Sequence, residues 1–415
     1  MDPIKLPQKL KLPSHVKEFR CAQCSECCTD KWIISVDGVS YEKLYKKLTE
    51  LDRQQELHDN IQAYGVARQI RFLANGKCPF LSADNRCSIQ TEIGEEYLPD
   101  ICKEYPRHIF ASRQAIEFAL SLTCRTAVKT LSQENIRIIE TDWPLKEGDD
   151  QLFSFIQPNT ITRYFPDKSP LDDPRLPYYV LEDRFIELLQ DRSYPVSQRL
   201  VALGQLLDRL HSRSIAQGKK NITEDLPSIL RENYCYIAEP DWERHLSQLF
   251  GISNRFLQKS PSVMWARILR SMLLTLSSGE PHPVEDSEIV RLKIPSPGPG
   301  KYQQMLGQYY RPVCGPLEHI LENYLVNFIL GKGFYLRPVH LAYYRVAFVY
   351  AAIIAFALGY SILTDQAVSQ QTLLQAIYDV ENVFYSSWFY PFATGLQAGK
   401  SFRKTIDSGI ALANI

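Results

Sequence analysis

The chain has no surplus of charge: among its 415 residues, 47 lysines and arginines balance 47 aspartates and glutamates. A neutral balance supplies no general electrostatic pull toward nucleic acid or an anionic membrane surface. The glycine pattern of a nucleotide fold is missing as well. No G-x-G-x-x-G follows a strand and opens a helix, and Gly298-Pro299-Gly300 and Gly331-Lys332-Gly333 read as turns, so a Rossmann-type domain has no support. There is no C-x3-C-x2-C, because Cys24 and Cys28 have the first interval but Lys31 occupies the third position. Radical S-adenosylmethionine chemistry of the usual kind therefore lacks its signature. Internal repeats and low-complexity tracts are absent. Long apolar runs are scarce. Val346 to Leu363 alone just reaches transmembrane length, but Arg345 and Asp365 bound it and Tyr350, Gly359, Tyr360 and Ser361 interrupt it. It is expected to be a buried core helix, with no stable membrane insertion. The start, Met1-Asp2-Pro3-Ile4-Lys5-Leu6-Pro7, breaks with proline and charge before any apolar run develops, unlike a signal peptide. A cytoplasmic, reducing setting is expected, with the cysteines as thiols or thiolates.

Cysteine is what the chain concentrates. Four of ten lie in Cys21-Ala22-Gln23-Cys24-Ser25-Glu26-Cys27-Cys28, and Cys78, Cys87, Cys102 and Cys124 follow within the next hundred residues. Thiols packed this tightly in a reducing compartment are metal ligands more often than disulfide partners. C-x2-C-x2-C-C brings several sulfurs to one centre at little loop-closure cost. Tetrahedral zinc ordinarily uses two separated C-x2-C pairs, whereas a run at two-residue spacing suits an iron–sulfur cluster wrapped corner by corner. Both metals stay open at this point. Eight thiolates exceed the four that one [4Fe–4S] cluster needs, so either two centres exist or some cysteines support the others. Cys124 sits where it can open a helix, whose N-terminus stabilises a thiolate.

The organisation reads as α+β: a small cysteine-rich α+β domain over 1–142 carrying the metal cluster, a linker over 143–178, and a mainly α-helical domain over 179–415. A proline-rich break covers 281–300. In the first part, Trp32–Val36 is a strand candidate, Tyr41 to about Tyr64 an amphipathic helix, and Arg71–Leu81 a hairpin around Asn75-Gly76. His108–Ser112 and Ala115–Leu122 read as a strand pair, with Ile136–Thr141 as one more. Helical periodicity covers 179–190, 195–212, 225–234, 240–249, 262–276, 316–330, 341–363, 371–385 and 400–413.

Certain runs carry a resemblance. They are Cys78-Pro79-Phe80-Leu81, Cys87-Ser88-Ile89, Gly94-Glu95-Glu96-Tyr97-Leu98, Cys102-Lys103-Glu104-Tyr105-Pro106-Arg107-His108 and Leu122-Thr123-Cys124, then Leu321 to Phe328 far downstream. Together they resemble the flagellin lysine-N-methylase branch of the CxxCxxCC cysteine-cluster family. The first run, at C-x2-C-x2-C-C, is tighter than in that branch and typical of the broader family. The resemblance implies an iron–sulfur, S-adenosylmethionine-dependent lysine methyltransferase acting on exposed lysines of a protein substrate, with the eight cysteines as metal ligands.

Methyl transfer to lysine needs a neutral, desolvated amine aimed at a sulfonium methyl, which burial and aromatic or carbonyl groups favour. Asn323, Tyr324 and Asn327 are the catalytic candidates on this ground. Glu322 and Arg107 are candidates for binding the cofactor, and His108, close after Cys102, is a possible donor to cluster sulfurs. Asn323 and Asn327, four apart, share one helix face, and Glu318 and Glu322 share another. Polar groups amid Leu, Ile, Val and Phe are costly to bury without partners or a purpose. A non-enzymatic iron–sulfur or zinc module that docks a protein partner is the competing class.

Overall fold

A strand not expected from the sequence opens the fold. β1 (Lys9–Pro13) buries four of its five residues and ends at Pro13, which has no amide to extend a ladder. It lies in a four-stranded sheet of order β5-β6-β1-β7, formed with β5 (Arg107–Ala111), β6 (Ile116–Leu120) and β7 (Ile138–Asp142). β1 runs parallel to β6, with Lys11 opposite Glu117, and antiparallel to β7. The expected pair flanking Arg113 and Gln114 is the antiparallel β5–β6 ladder. A second sheet, of order β2-β4-β3, combines β2 (Ser35–Val36), β3 (Ile61–Tyr64) and β4 (Ala67–Ile70).

The structure is a computed structural model that describes residues 9–29, 33–65, 67–111, 115–134, 136–142, 178–216, 240–259, 263–285, 293–331, 339–385 and 402–415. The expected linker over 143–178, except its last residue, and the expected helix at 225–234 lie outside them.

Two expectations change in detail. The helix expected from Tyr41 to about Tyr64 is two helices and a strand. Gly38–Glu50 starts on an Asp37 cap that accepts from the Ser40 amide at 2.8 Å, and Asp52, in the left-handed region at φ 55°, turns the chain into Gln54–Asn60. Leu44 and Leu48 are buried from the first helix and Leu57 from the second, while Leu51 at the break is exposed. The Asn75-Gly76 turn forms, with Gly76 N donating to Leu73 O at 2.8 Å and Leu73 N to Lys77 O at 2.9 Å, but its flanks extend into no regular ladder and Lys77 bridges to Thr29. The regular hairpin is β3–β4.

Helices at Tyr178–Leu189, Val196–Ala216, Trp242–Lys259, Val263–Ser278, Cys314–Gly331, Val339–Thr364, Gln370–Tyr385 and Phe402–Ala413 build the rest of an α+β protein. Val339–Thr364 is the one described helix long and apolar enough to cross a membrane, and 89% of its most apolar window is buried inside the protein. Phe402–Ala413, Gln370–Tyr385, Val263–Ser278 and Val196–Ala216 pack around it. A helix hydrophobic on all sides is what such an enclosed position requires.

Two apolar cores result. The smaller gathers Ile34, Val36, Leu44, Leu48, Leu57, Ile70, Phe80 and Cys78, with Cys28, Cys87 and Cys102 packed on its edge. The larger joins the four-stranded sheet, through Leu10, Leu12, Ile116, Phe118 and Leu120, to the helices. The sheet thus shares its core with the helical body, and residue 142 does not separate the two cores. Close approach at this seam requires Gly331, where a Cβ would meet the Ala119 Cβ at 2.6 Å.

Buried charge also crosses the seam. Lys11 Nζ binds Glu182 Oε1 at 3.1 Å and Asp183 Oδ1 at 2.5 Å. Burial opposes the lysine's charge, but the adjacent carboxylates more than offset this and raise its pKa. Glu117, fully buried beside Glu182, has its carboxyl held well above the usual range by burial and by that neighbour.

Candidate metal centre

The first cysteine run turns by means of its backbone. Gln23 (φ 52°) and Ser25 (φ 60°) both adopt the left-handed region, one on each side of Cys24, and Glu26–Cys28 closes as a 3-10 turn with Cys28 N donating to Ser25 O at 2.8 Å. Non-glycine residues rarely pay for this conformation without a local reason. Cys24 and Cys27 come close enough to add to the upward shift of the Cys21 thiol, and Cys27 Sγ stands 3.9 Å from Cys28 Sγ.

Main-chain pairing brings the later cysteines to the same place. Cys78 N donates to Cys28 O at 2.8 Å beside the Thr29–Lys77 bridge. The Leu81–Cys87 bridge folds Cys87 back toward Cys78, with Ser88 N donating to Phe80 O at 2.8 Å. Cys102 rides on the short Asp100–Glu104 helix, within electrostatic reach of Cys78, Cys87 and Cys27. Cys124 caps the Arg125–Thr130 helix, as its sequence position led us to expect, and lies in reach of Cys24 and Cys27. Cys27 lies within electrostatic reach of Cys21, Cys78, Cys87, Cys102 and Cys124 and beside Cys28.

Burial pushes the thiols of Cys78 and Cys124 up to about 11, and it raises those of Cys102, Cys87 and Cys21. For Cys27 the Cys28 sulfur is the larger cause, ahead of burial. Thiolates packed together in a low-dielectric lobe need a compensating positive charge, and a metal supplies it while releasing the protons. Backbone amides already face several sulfurs: Gln23 N donates to Cys21 Sγ at 3.3 Å, and Phe80, Ile89 with Gln90, and Thr126 with Ala127 face Cys78, Cys87 and Cys124. Amides placed two or three residues after a cysteine favour a bound thiolate. The donor set therefore fits a soft metal centre. Among the described residues no three Cys, His, Asp or Glu side chains close on a single ion.

The other candidates divide between two places. Arg107 on β5 lies beside Cys21, with its guanidinium 5.3 Å from the Phe19 ring. His108, its strand neighbour, stands by Phe110 and near Gly331. The remaining four sit on Cys314–Gly331, at the seam of sheet and helices. Asn327 Oδ1 accepts from Leu120 N at 2.9 Å while its Nδ2 donates to Leu120 O at 2.8 Å, so the side-chain amide completes the end of β6. That orientation makes His15 Nε2, 3.1 Å from the same Oδ1, a donor. Asn323 Nδ2 donates to Leu131 O and Gln133 O, while its buried Oδ1 has no partner among the described residues. Tyr324 OH donates to Glu381 Oε1 at 2.8 Å. Glu322, 2% exposed at its side chain, accepts from Arg199 at 2.7 Å and Arg192 at 3.0 Å.

Polar partners that the sequence did not signal lie next to the thiols. Glu26 Oε1 accepts from Arg125 Nε at 3.0 Å, and Glu26 Oε2 accepts from Tyr378 OH at 2.8 Å. Glu26 precedes Cys27 and Arg125 follows Cys124, and that adjacency was the available clue. Nothing in the sequence pointed to Tyr378.

Residues 20–131, which hold all eight cysteines, match the CxxCxxCC family model, a candidate zinc- or iron-chelating domain. Residues 182–387 match the model of the FliB lysine N-methylase C-terminal domain. The chain joins a CxxCxxCC domain to a FliB-type C-terminal domain. These are the regions on which the sequence resemblance rested. No curated protein and no solved structure matches the chain.

Proposed function

We propose that this FliB-type protein is a lysine N-methyltransferase that takes its methyl group from S-adenosylmethionine and carries an iron–sulfur centre, of the [4Fe–4S] kind, on the thiols around Cys27. The observation that supports it most is the union, in one molecule, of eight converging thiols with a region that matches a lysine N-methylase domain. A single tetrahedral zinc, with bonds near 2.3 Å, would hold its sulfurs about 3.8 Å apart, and Cys27 and Cys28 at 3.9 Å meet that spacing, so zinc stays the alternative metal. The two-residue spacing of the first cysteine run, which suits a cluster wrapped corner by corner, carries the preference for iron.

When bound, the cluster supplies a covalent staple for a lobe whose own apolar core is small. Cys21, Cys24, Cys27, Cys28, Cys78, Cys87, Cys102 and Cys124 are the residues available to hold it, with Arg107 as a cation beside Cys21. In the transfer itself the lysine Nζ lone pair forms the new N–C bond as the methyl–sulfonium bond breaks, and the thioether and one proton depart. Asn323, whose buried amide oxygen has no partner among the described residues, is the side chain of the Cys314–Gly331 helix that we assign to accept from an incoming amine. We assign Asn327, Tyr324 and Glu322 to holding that helix against the sheet and its neighbouring helices.

The test uses anaerobically purified protein with S-adenosylmethionine labelled in its methyl group and a lysine-bearing protein such as flagellin. Label recovered as N-methyl-lysine after acid hydrolysis is the expected result. Metal-loaded protein that neither binds S-adenosylmethionine by calorimetry nor transfers label would favour the docking module instead.

A further inference from the structure

One of the places where the cysteine lobe meets the methylase-like region is Tyr378. Tyr378, 3% exposed on the Gln370–Tyr385 helix, donates to Glu26 Oε2 at 2.8 Å. Arg125, which donates to the other oxygen of Glu26, lies with its guanidinium 4.1 Å from the Tyr378 ring centroid and also donates to Gln375 Oε1 at 2.8 Å. Gln375 in turn donates to Asp379 Oδ2 at 2.7 Å, and Tyr360 donates to that same oxygen from Val339–Thr364. Trp265 packs edge-on to Tyr378 at 6.3 Å. The contacts thus run from the third cysteine of the run and from the eighth cysteine into three helices of the FliB-type region.

We propose that Glu26, Arg125 and Tyr378 form a clasp through which metal loading of the thiols fixes the position of the Gln370–Tyr385 helix. The inference rests on the metal-binding half of the proposed function and is independent of methyl transfer. Its physical basis is short-range. Glu26 sits in the 3-10 turn Glu26–Cys28, so a change in where Cys27 and Cys28 are held moves its carboxylate directly. Arg125 is the first residue of the helix that Cys124 caps, so Cys124 and the guanidinium move together. Both residues are part-exposed, 31% for Glu26 and 42% for Arg125, so their mutual ion pair contributes little by itself. The better-sheltered link is the Tyr378 hydroxyl on the carboxylate, a charge-assisted bond. Glu26, Arg125 and Tyr378 act as positioning residues.

Hydrogen exchange followed by mass spectrometry on the full chain tests this, comparing metal-loaded protein with protein stripped by a chelator under anaerobic conditions. In wild type, stripping is expected to accelerate exchange in 20–28 and also in 370–385, by about tenfold or more in the helix, the scale of one charge-assisted hydrogen bond. In Tyr378→Phe, which keeps the ring under Arg125 and removes only the hydroxyl, stripping should still loosen 20–28 but no longer change 370–385. Glu26→Gln should behave the same way, with intact folding checked by circular dichroism. Loosening confined to 20–28 in wild type, or an undiminished response of 370–385 in both variants, overturns the clasp. Protein that holds no metal as purified removes the reading beneath it and the clasp with it, a failure distinct from the other two.

Discussion

Glu322→Gln is expected to destabilise the protein by about 3–5 kcal/mol, the cost of stranding a buried charge when its partner is neutralised. Arg199 is the cation left behind: its side chain is 4% exposed and its nearest charged partner is the Glu322 carboxylate at 2.7 Å. Backbone carbonyls remain to it, Tyr194 O at 2.6 Å and Leu189 O at 2.8 Å, but they carry no charge to balance its own. Glu318, 3.7 Å away, has its own carboxyl raised by burial and can compensate only in part. Arg192 is 45% exposed and turns to water at small cost. The measurement is the denaturant midpoint of metal-loaded protein, beside a double variant, Arg199→Met with Glu322→Leu, expected to recover much of the loss. If Glu322 instead served to bind S-adenosylmethionine, Glu322→Gln would weaken cofactor binding and leave the midpoint where it was.

Acidification from pH 6.5 to 4 is expected to remove stability on the order of 3 kcal/mol for each of two histidines, His15 and His245. Burial pushes both imidazoles down to about 4. His15 donates from Nε2 to Asn327, and His245 donates from Nδ1 to Ala411 O at 3.2 Å, so each is held as one neutral tautomer in a place without a counter-charge. The sign follows from which state binds the proton first. The unfolded chain protonates its histidines as pH falls below about 6.5, whereas the folded chain resists until near 4, so stability drops across that window and levels off below it. Glu117 works in the opposite sense, because its buried carboxyl is easier to keep neutral as pH falls. The histidine share is therefore read by difference: His245→Gln should show a shallower fall in its thermal midpoint between pH 6.5 and 4 than wild type. Equal slopes would contradict it.

Local signals carried much of this fold into the sequence. The β5–β6 ladder was legible from alternation around a polar pair, and the helix at Cys314–Gly331 from its periodicity. β1 was hidden because five residues between prolines resemble punctuation, and its partners β6 and β7 lie more than a hundred residues away. The break at Asp52 was hidden because no proline or glycine marks it and Leu44 and Leu48 are helically spaced before it; Leu57 lies about two and a half turns beyond Leu48, on the opposite face of a continuous helix. The shared core of sheet and helices depends on contacts such as Asn327 with Leu120, which no local window contains.

The candidate metal centre was legible for a chemical reason, since eight thiols in one region have few other uses. What the sequence could not supply was the hub. Cys27 comes within reach of Cys78, Cys87 and Cys102 only after the bridges Thr29–Lys77 and Leu81–Cys87 fold the later cysteines onto the first run. The amides and acids of 318–327 posed the opposite problem. Read alone, buried polar residues on an apolar helix suggest a reaction site. In the fold most of their polar atoms meet Arg192, Arg199, Leu120, Leu131 and Glu381, with Asn323 Oδ1 left over.

The central claim is that the thiols around Cys27 hold an iron–sulfur centre. Iron, zinc and acid-labile sulfide per chain, measured on anaerobically purified wild type and on Cys27→Ala, test it most directly. The account predicts iron and sulfide in near-equal amounts in wild type and loss of both in Cys27→Ala. Zinc without sulfide would contradict the iron–sulfur assignment, and metal retained in full by Cys27→Ala would contradict the hub.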